Sequence, residues 1–354
     1  MLARAFALAA LLPLVAGRAV CAQESVTLRS DILLYGDNTE FRNPFREGET
    51  IFGAAARVFA DLQLNPRVTI SLGGFGNQRF GSDDAFELVR PVIALTVLGR
   101  RSAFTFGTLP ALSPDAPMGP DLGGTHALLP PLQRETLAFD RPYEAGLQWD
   151  FRGSALSHSM WIEWQRLNTA EHRERFDGGL NGEYSFSHGI AIPLQVHVVH
   201  EGGQLFSTGT VNDSAAAALG IAWRHPVGVA RVSAEGYAVL SRHAFDRERP
   251  ELTLKGRAFF GRIAFEHEGW RAHLLMWRGE DFIKDEGDPN YLSIRRDGTP
   301  YAGIRDYAET GLARRFTLAP GAVIEVSGRV HRTERDYEYS YRVVSISSLR
   351  WKLR

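Results

Sequence analysis

Cysteine is all but missing: one, Cys21, in 354 residues. A structural disulfide within the chain is excluded, as is any centre built on several thiolates. Long apolar runs are missing too. Beyond the first 22 residues nothing approaches 18 consecutive apolar residues, so the sequence carries no membrane-spanning helix. Charge of one sign is equally absent: 40 basic and 41 acidic residues leave a net charge of −1, which gives no footprint for nucleic acid. The G-x-S-x-G, H-E-x-x-H and G-x-x-x-x-G-K signatures do not occur, and no Pro/Ser-rich linker or fixed-period repeat divides the chain.

What is present begins with an export signal. Arg4 precedes a short apolar run over residues 5–15, and Val20-Cys21-Ala22 supplies small residues before Gln23. This pattern predicts a secretory signal peptide, residues 1–22, cleaved after Ala22. Acylation at Cys21 is the weaker alternative, because Arg18 stands where a lipobox needs an aliphatic residue. Cleavage removes Arg4, Arg18 and the only cysteine. Residues 23–354 then form a single domain that must be held by packing and backbone pairing alone.

That domain alternates. In "YEAGLQWDFR" (143–152), Tyr143, Ala145, Leu147, Trp149 and Phe151 share one face, and Glu144, Gln148, Asp150 and Arg152 lie on the other. The same period of two runs through Phe52-Ala54-Ala56-Val58-Ala60-Leu62, Ala215-Ala217-Leu219-Ile221-Trp223, Trp270-Ala272-Leu274-Met276 and the last segment, Tyr337 to Leu353. The pattern predicts an all-β chain of about sixteen strands, within a range of 14–18. Connections alternate as well. Short ones at Asn65-Pro66, Pro226-Val227-Gly228 and Pro320-Gly321 interleave with long ones, the longest being 110–142 and 280–305. A closed antiparallel up-and-down barrel in an outer membrane has this order, with aromatic girdles at both interfaces and every strand edge paired.

On these residues the chain resembles the porin-like outer-membrane β-barrels of Gram-negative bacteria, over essentially all of 26–354. The resemblance rests on pattern; "YGDNTEFRNPFREGET" (35–50) has the look of a family signature without a function attached, and the terminal "LRWKLR" departs from the usual terminal aromatic. It implies a location in the outer membrane. It also implies contact with outer-membrane lipid and lipopolysaccharide and handling by the assembly machinery, with no nucleic-acid partner. Self-association, common in such barrels, is left open.

The function implied is a channel for passive or weakly selective diffusion of small hydrophilic solutes, since sixteen strands leave room for water. Its lining would be Arg57, Asp61, Glu144, Asp150, Arg152, Arg173, Arg175, Arg231, Glu235, Arg271, His273, Glu325 and Arg329. Loop 110–142 would form a constriction through Asp115, Asp121, Arg134 and Glu135 if it folds inward. The alternatives are a non-conducting structural or adhesive barrel and, less favoured, a barrel enzyme acting on lipid. No nucleophile, base and orienting group converge in the sequence, so no catalysis and no cofactor are expected. The carboxylates Asp281, Asp285 and Asp288 form a weak calcium candidate, but their spacing departs from an EF-hand loop and no metal is expected.

Overall fold

In the computed structural model, which describes residues 25–115, 126–206 and 209–353, sixteen antiparallel strands close into one barrel. The predicted signal peptide and Asp121 lie outside the described residues. The first eight strands are β1 (Ser25–Glu40), β2 (Glu49–Asn65), β3 (Val68–Arg79), β4 (Leu88–Leu98), β5 (Ser102–Thr108), β6 (Ala145–Arg152), β7 (Leu156–Arg166) and β8 (Glu174–Ser185). The rest are β9 (Ile190–Gly202), β10 (Asn212–Val227), β11 (Ala230–Ala244), β12 (Thr253–His267), β13 (Trp270–Glu280), β14 (Ile304–Ala319), β15 (Ala322–Thr333) and β16 (Asp336–Lys352). Every strand pairs with its sequence neighbours. The ring closes between β1 and β16, from Thr27 opposite Lys352 to Glu40 opposite Tyr339. Closure satisfies the edge hydrogen bonds that lipid cannot.

The outer face is the apolar one. Along β13, Trp270, Leu274 and Met276 are exposed while Arg271, His273, Leu275 and Trp277 are buried. Trp149, Trp223, Trp270 and Trp351 ring the short-turn end of this face, and Trp164, Tyr337, Tyr339 and Tyr341 mark the long-loop end. Two aromatic girdles at the ends of an apolar band are the signature of a bilayer-spanning barrel.

The interior departs from the expected water-filled channel. Alternation assigns a residue to a face but does not say what fills the space that face encloses. Here the inward face carries Trp161, Tyr237, Phe260, Leu275 and Trp277. The two long loops fold in to cover them, with Leu128, Leu129 and Leu132 from 109–144 and Phe282, Tyr291 and Leu292 from 281–303. A one-turn helix, α1 (Leu137–Asp140), places Ala138 and Phe139 against Tyr35, Phe59, Phe75 and Val344 in a second cluster. Each fully buried Leu or Phe here contributes roughly 1.5–3 kcal/mol by leaving water, so the plug is a dry core. Tyr143 joins this interior: its ring lies 5.2 Å from Phe75 instead of on the lipid face. Two polar cavities, of about 420 and 260 Å³, remain towards the short-turn end.

Candidate functional site

The charges expected to line a pore lie on the inward face, and most meet protein. Arg57 donates to the carbonyls of Leu109 (2.6 Å) and Pro142 (2.8 Å), clasping both ends of the first infolded loop. Glu144 sits 3.1 Å from His126, whose ring stacks on Trp161 at 3.7 Å. Asp61 meets Arg29 and Ser71, Asp150 accepts from Gln148, and Glu235 binds Arg224 and Arg262. Arg271 pairs with Glu266, Glu325 with Arg315, and Arg231 lies 3.7 Å from Glu266 at the short-turn cavity. Arg173 is spent on loop carbonyls at the rim, and Arg152 is exposed beside a short turn. Of the loop residues, Arg134 pairs with Asp140, Glu135 with Arg329 and Arg342, and Asp115 is exposed.

The carboxylates Asp281, Asp285 and Asp288 do not act as a set. Asp288 binds Arg46 at 2.6 Å and caps the Asn290 amide, whereas Asp285 lies 3.6 Å from His243. Residues in an infolded loop are sorted by the wall they meet, not by their spacing in sequence.

At the long-loop end, three neighbouring strands bring together a hydroxyl, an imidazole and a carboxylate. Ser340 on β16 lies 2.8 Å from His331 Nε2 on β15. His331 Nδ1 is 2.7 Å from the Tyr307 hydroxyl and 3.3 Å from Glu309 Oε2, both on β14. Tyr307 donates to Glu309 Oε2 at 2.8 Å, so its oxygen is left to accept from His331 Nδ1–H. That tautomer leaves Nε2 free to accept the Ser340 proton, the arrangement that activates a hydroxyl nucleophile. Glu309 Oε1 is held in turn by His273 Nε2 at 2.9 Å. The fit requires Gly311: a Cβ there would lie 2.5 Å from His273 Cε1 and 2.8 Å from Arg329 Cγ.

Cations crowd the same place. Arg46, Arg329 and Arg342 line a crevice with Ser340 and His331, and Arg342 also binds Asp37. Burial works against the charge on Arg46, but Asp288 and Asp37 outweigh it and strengthen its hold on the proton. The crevice measures about 10 Å³, the size of one water. Segment 41–48 closes it: Phe41 packs edge-on to His331 at 4.8 Å, and Glu338 accepts from the Arg42 and Asn43 amides.

A second histidine, His197 on β9, lies deeper among Asp177 on β8, Glu286 and Lys284. Burial pushes the Lys284 ammonium down to about 8. Burial alone would raise the Glu286 carboxyl, but Arg141, His197, Gln165 and Arg175 outweigh it and hold it at about 2.

Sequence reasoning placed His273 on the inward face but did not see the site. Ser340, His331, Glu309, Tyr307 and His273 are separated by up to 67 positions, and only strand register brings Glu309 opposite His331 and Arg329 opposite Ser340. The usable signal was the parity of Ser340, His331 and Glu309 near the long-loop ends of consecutive strands.

Residues 20–352 match the sequence profile of the family described as lipid A 3′-O-deacylase-type. That match corrects the expectation of a chain without catalysis, since the family is one of enzymes. No curated protein matches the sequence. Among solved structures, the barrel is similar to a loop-L8 deletion mutant of the Vibrio cholerae outer-membrane protein OmpT. There the TM-score is 0.56 at 11% identity, covering 92% of this chain and 99% of that one. It is also similar to Pseudomonas aeruginosa OccK8 (OprE), at TM-score 0.52 and 11% identity, covering 92% and 98%. These likenesses establish the fold: an outer-membrane barrel.

Proposed function

The chain belongs to the lipid A 3′-O-deacylase-type family, and on that premise we propose that it hydrolyses an ester-linked acyl chain of lipid A in the outer membrane. The observation that carries this reading is the Ser340–His331–Glu309 alignment. Ser340 Oγ attacks the ester carbonyl while His331 Nε2 takes its proton. Collapse of the tetrahedral intermediate expels the sugar 3′-oxygen, which receives that proton, and leaves an acyl-serine. Water, deprotonated by His331, then releases the fatty acid and restores Ser340. Glu309 and Tyr307 hold the imidazole in the required tautomer, and the guanidinium groups of the crevice, each paired with a carboxylate, offer N–H donors to a developing oxyanion. Tyr337, Tyr339 and Tyr341 bound the same height on the outer face, the level at which a lipid headgroup meets the barrel.

A crevice the size of one water admits no acyl ester, so turnover requires segment 41–48 to lift. The reading includes export through residues 1–22 and a single-domain barrel over 23–354. The test is mass spectrometry of lipid A incubated with the folded protein in detergent. Loss of one ester-linked acyl chain is expected, and none with Ser340→Ala. Intact lipid A after incubation with folded wild-type protein overturns the proposal.

Passage of small hydrophilic solutes is the second reading. It is favoured by the two charge-lined cavities at the short-turn end and opposed by the dry plug above them. Planar-bilayer recording separates the two, since a plugged enzyme gives no steady conductance steps.

A further inference from the structure

We propose that Asp177, His197 and Glu286 form a binding site for one divalent transition-metal ion of the Zn²⁺ type, pinning the 281–303 loop to the barrel wall. One ligand atom from each lies within 4.8 Å of the other two. His197 Nε2 is 3.2 Å from Asp177 Oδ2 and 4.0 Å from Glu286 Oε2. Tetrahedral zinc with oxygen and nitrogen ligands at ~2.0–2.2 Å sets its ligand atoms roughly 3.4 Å apart, so small side-chain rotations complete the triangle.

Hydrogen-bond accounting points to a cation. His197 Nδ1 is 3.0 Å from the Leu132 carbonyl oxygen, which can only accept, so Nδ1 carries the proton. In a neutral imidazole Nε2 is then an acceptor, yet it faces a carboxylate, another acceptor. Either a second proton or a metal must lie between them. The metal uses the arrangement as found, since a ligating histidine commonly holds its other N–H on a backbone carbonyl.

Glu286 supplies an independent observation. Its side chain is 7% exposed, and Arg141, Arg175 and Gln165 all bind Oε1, at 2.9, 3.2 and 3.1 Å. Oε2, the atom turned towards His197, is buried and accepts no hydrogen bond among the described residues. A buried ionised oxygen left without a donor is expensive, and a metal ion would satisfy it. The site joins β8 and β9 to an infolded loop, so its effect is to lock the plug. A fourth position stays open for water.

The test uses the full-length, untagged barrel in detergent, stripped with chelator and titrated calorimetrically with Zn²⁺ alone. One ion per barrel is expected, with affinity at least 100-fold weaker in Asp177→Asn and in His197→Gln. Both variants must keep the heat-modifiable gel mobility of a folded barrel. Co²⁺ should give the intense visible absorption of a tetrahedral site in the wild type. Should the variants not fold, limited proteolysis of wild type decides: Zn²⁺ should slow cleavage within 281–303 at least fivefold relative to chelator. No Zn²⁺ binding, equal affinity in both folded variants, or no protection of the loop overturns the proposal. None of these readouts involves lipid hydrolysis, so the site stands or falls apart from the deacylase reading.

Discussion

Two buried histidines face the same plugged lumen, and the partner of one nitrogen sets their difference. His331 and His197 each have Nδ1 committed to an oxygen, the Tyr307 hydroxyl in one case and the Leu132 carbonyl in the other. At Nε2 they diverge: His331 meets a hydroxyl that can donate, and His197 meets carboxylates that cannot. The first arrangement moves a proton and the second gathers a cation. The largest expected effect tests that division. Ser340→Ala should lower lipid A deacylation by at least about 10⁴-fold, in line with the loss of a serine nucleophile, and leave Zn²⁺ affinity within twofold. If it weakens zinc binding as well, the clusters are one unit and the comparison fails.

The groups behind His331 sharpen the contrast by degrees. Glu309→Gln keeps the shape but removes the charge that orients and stabilises the imidazolium. Because Tyr307 also holds Nδ1, the expected fall in kcat is about 10²-fold, less than in triads whose acid acts alone. His273 touches Glu309 and stands outside the reacting atoms, so it is a positioning residue. His273→Gln should lower kcat by about 10-fold with KM unchanged, because the amide can still donate to Glu309 Oε1 but not from the same point. A change confined to KM would instead place His273 in substrate binding. Initial rates across a lipid A concentration series measure both.

How much of this could be read from the sequence depends on how far its causes reach. Facing is local: Trp270, Leu274 and Met276 point outward and Arg271 and His273 inward because successive side chains alternate, so strand number, closure and the lipid face were legible. The alternation of short turns with long loops gave the ends of the barrel in the same way. What fills the lumen is not local. Leu132 and Phe282 sit in different loops and read as ordinary loop residues until Trp277 and Phe260 are known to lie opposite them. The site is less local still. Ser340, His331 and Glu309 lie nine and 22 positions apart on three strands, and the chemistry exists only in their register. His197 illustrates the same limit: the carboxylates it meets come from β8 and from a loop 89 positions on.

The smallest expected effect concerns what closes the hydroxyl site. Arg46 in segment 41–48 is tied to Asp288 in the second infolded loop at 2.6 Å, and the Arg296 amide donates to the Pro44 carbonyl alongside. Both partners are largely buried, so removing one leaves the other poorly solvated and weakens the closed state. If lifting of segment 41–48 limits turnover, Asp288→Ala should raise deacylation about threefold while Zn²⁺ affinity stays within twofold. Proteolysis within 41–48 should speed up in parallel. A fall in rate would assign Asp288 to holding the crevice in shape, and the latch would then belong to the catalytic cluster instead of its lid.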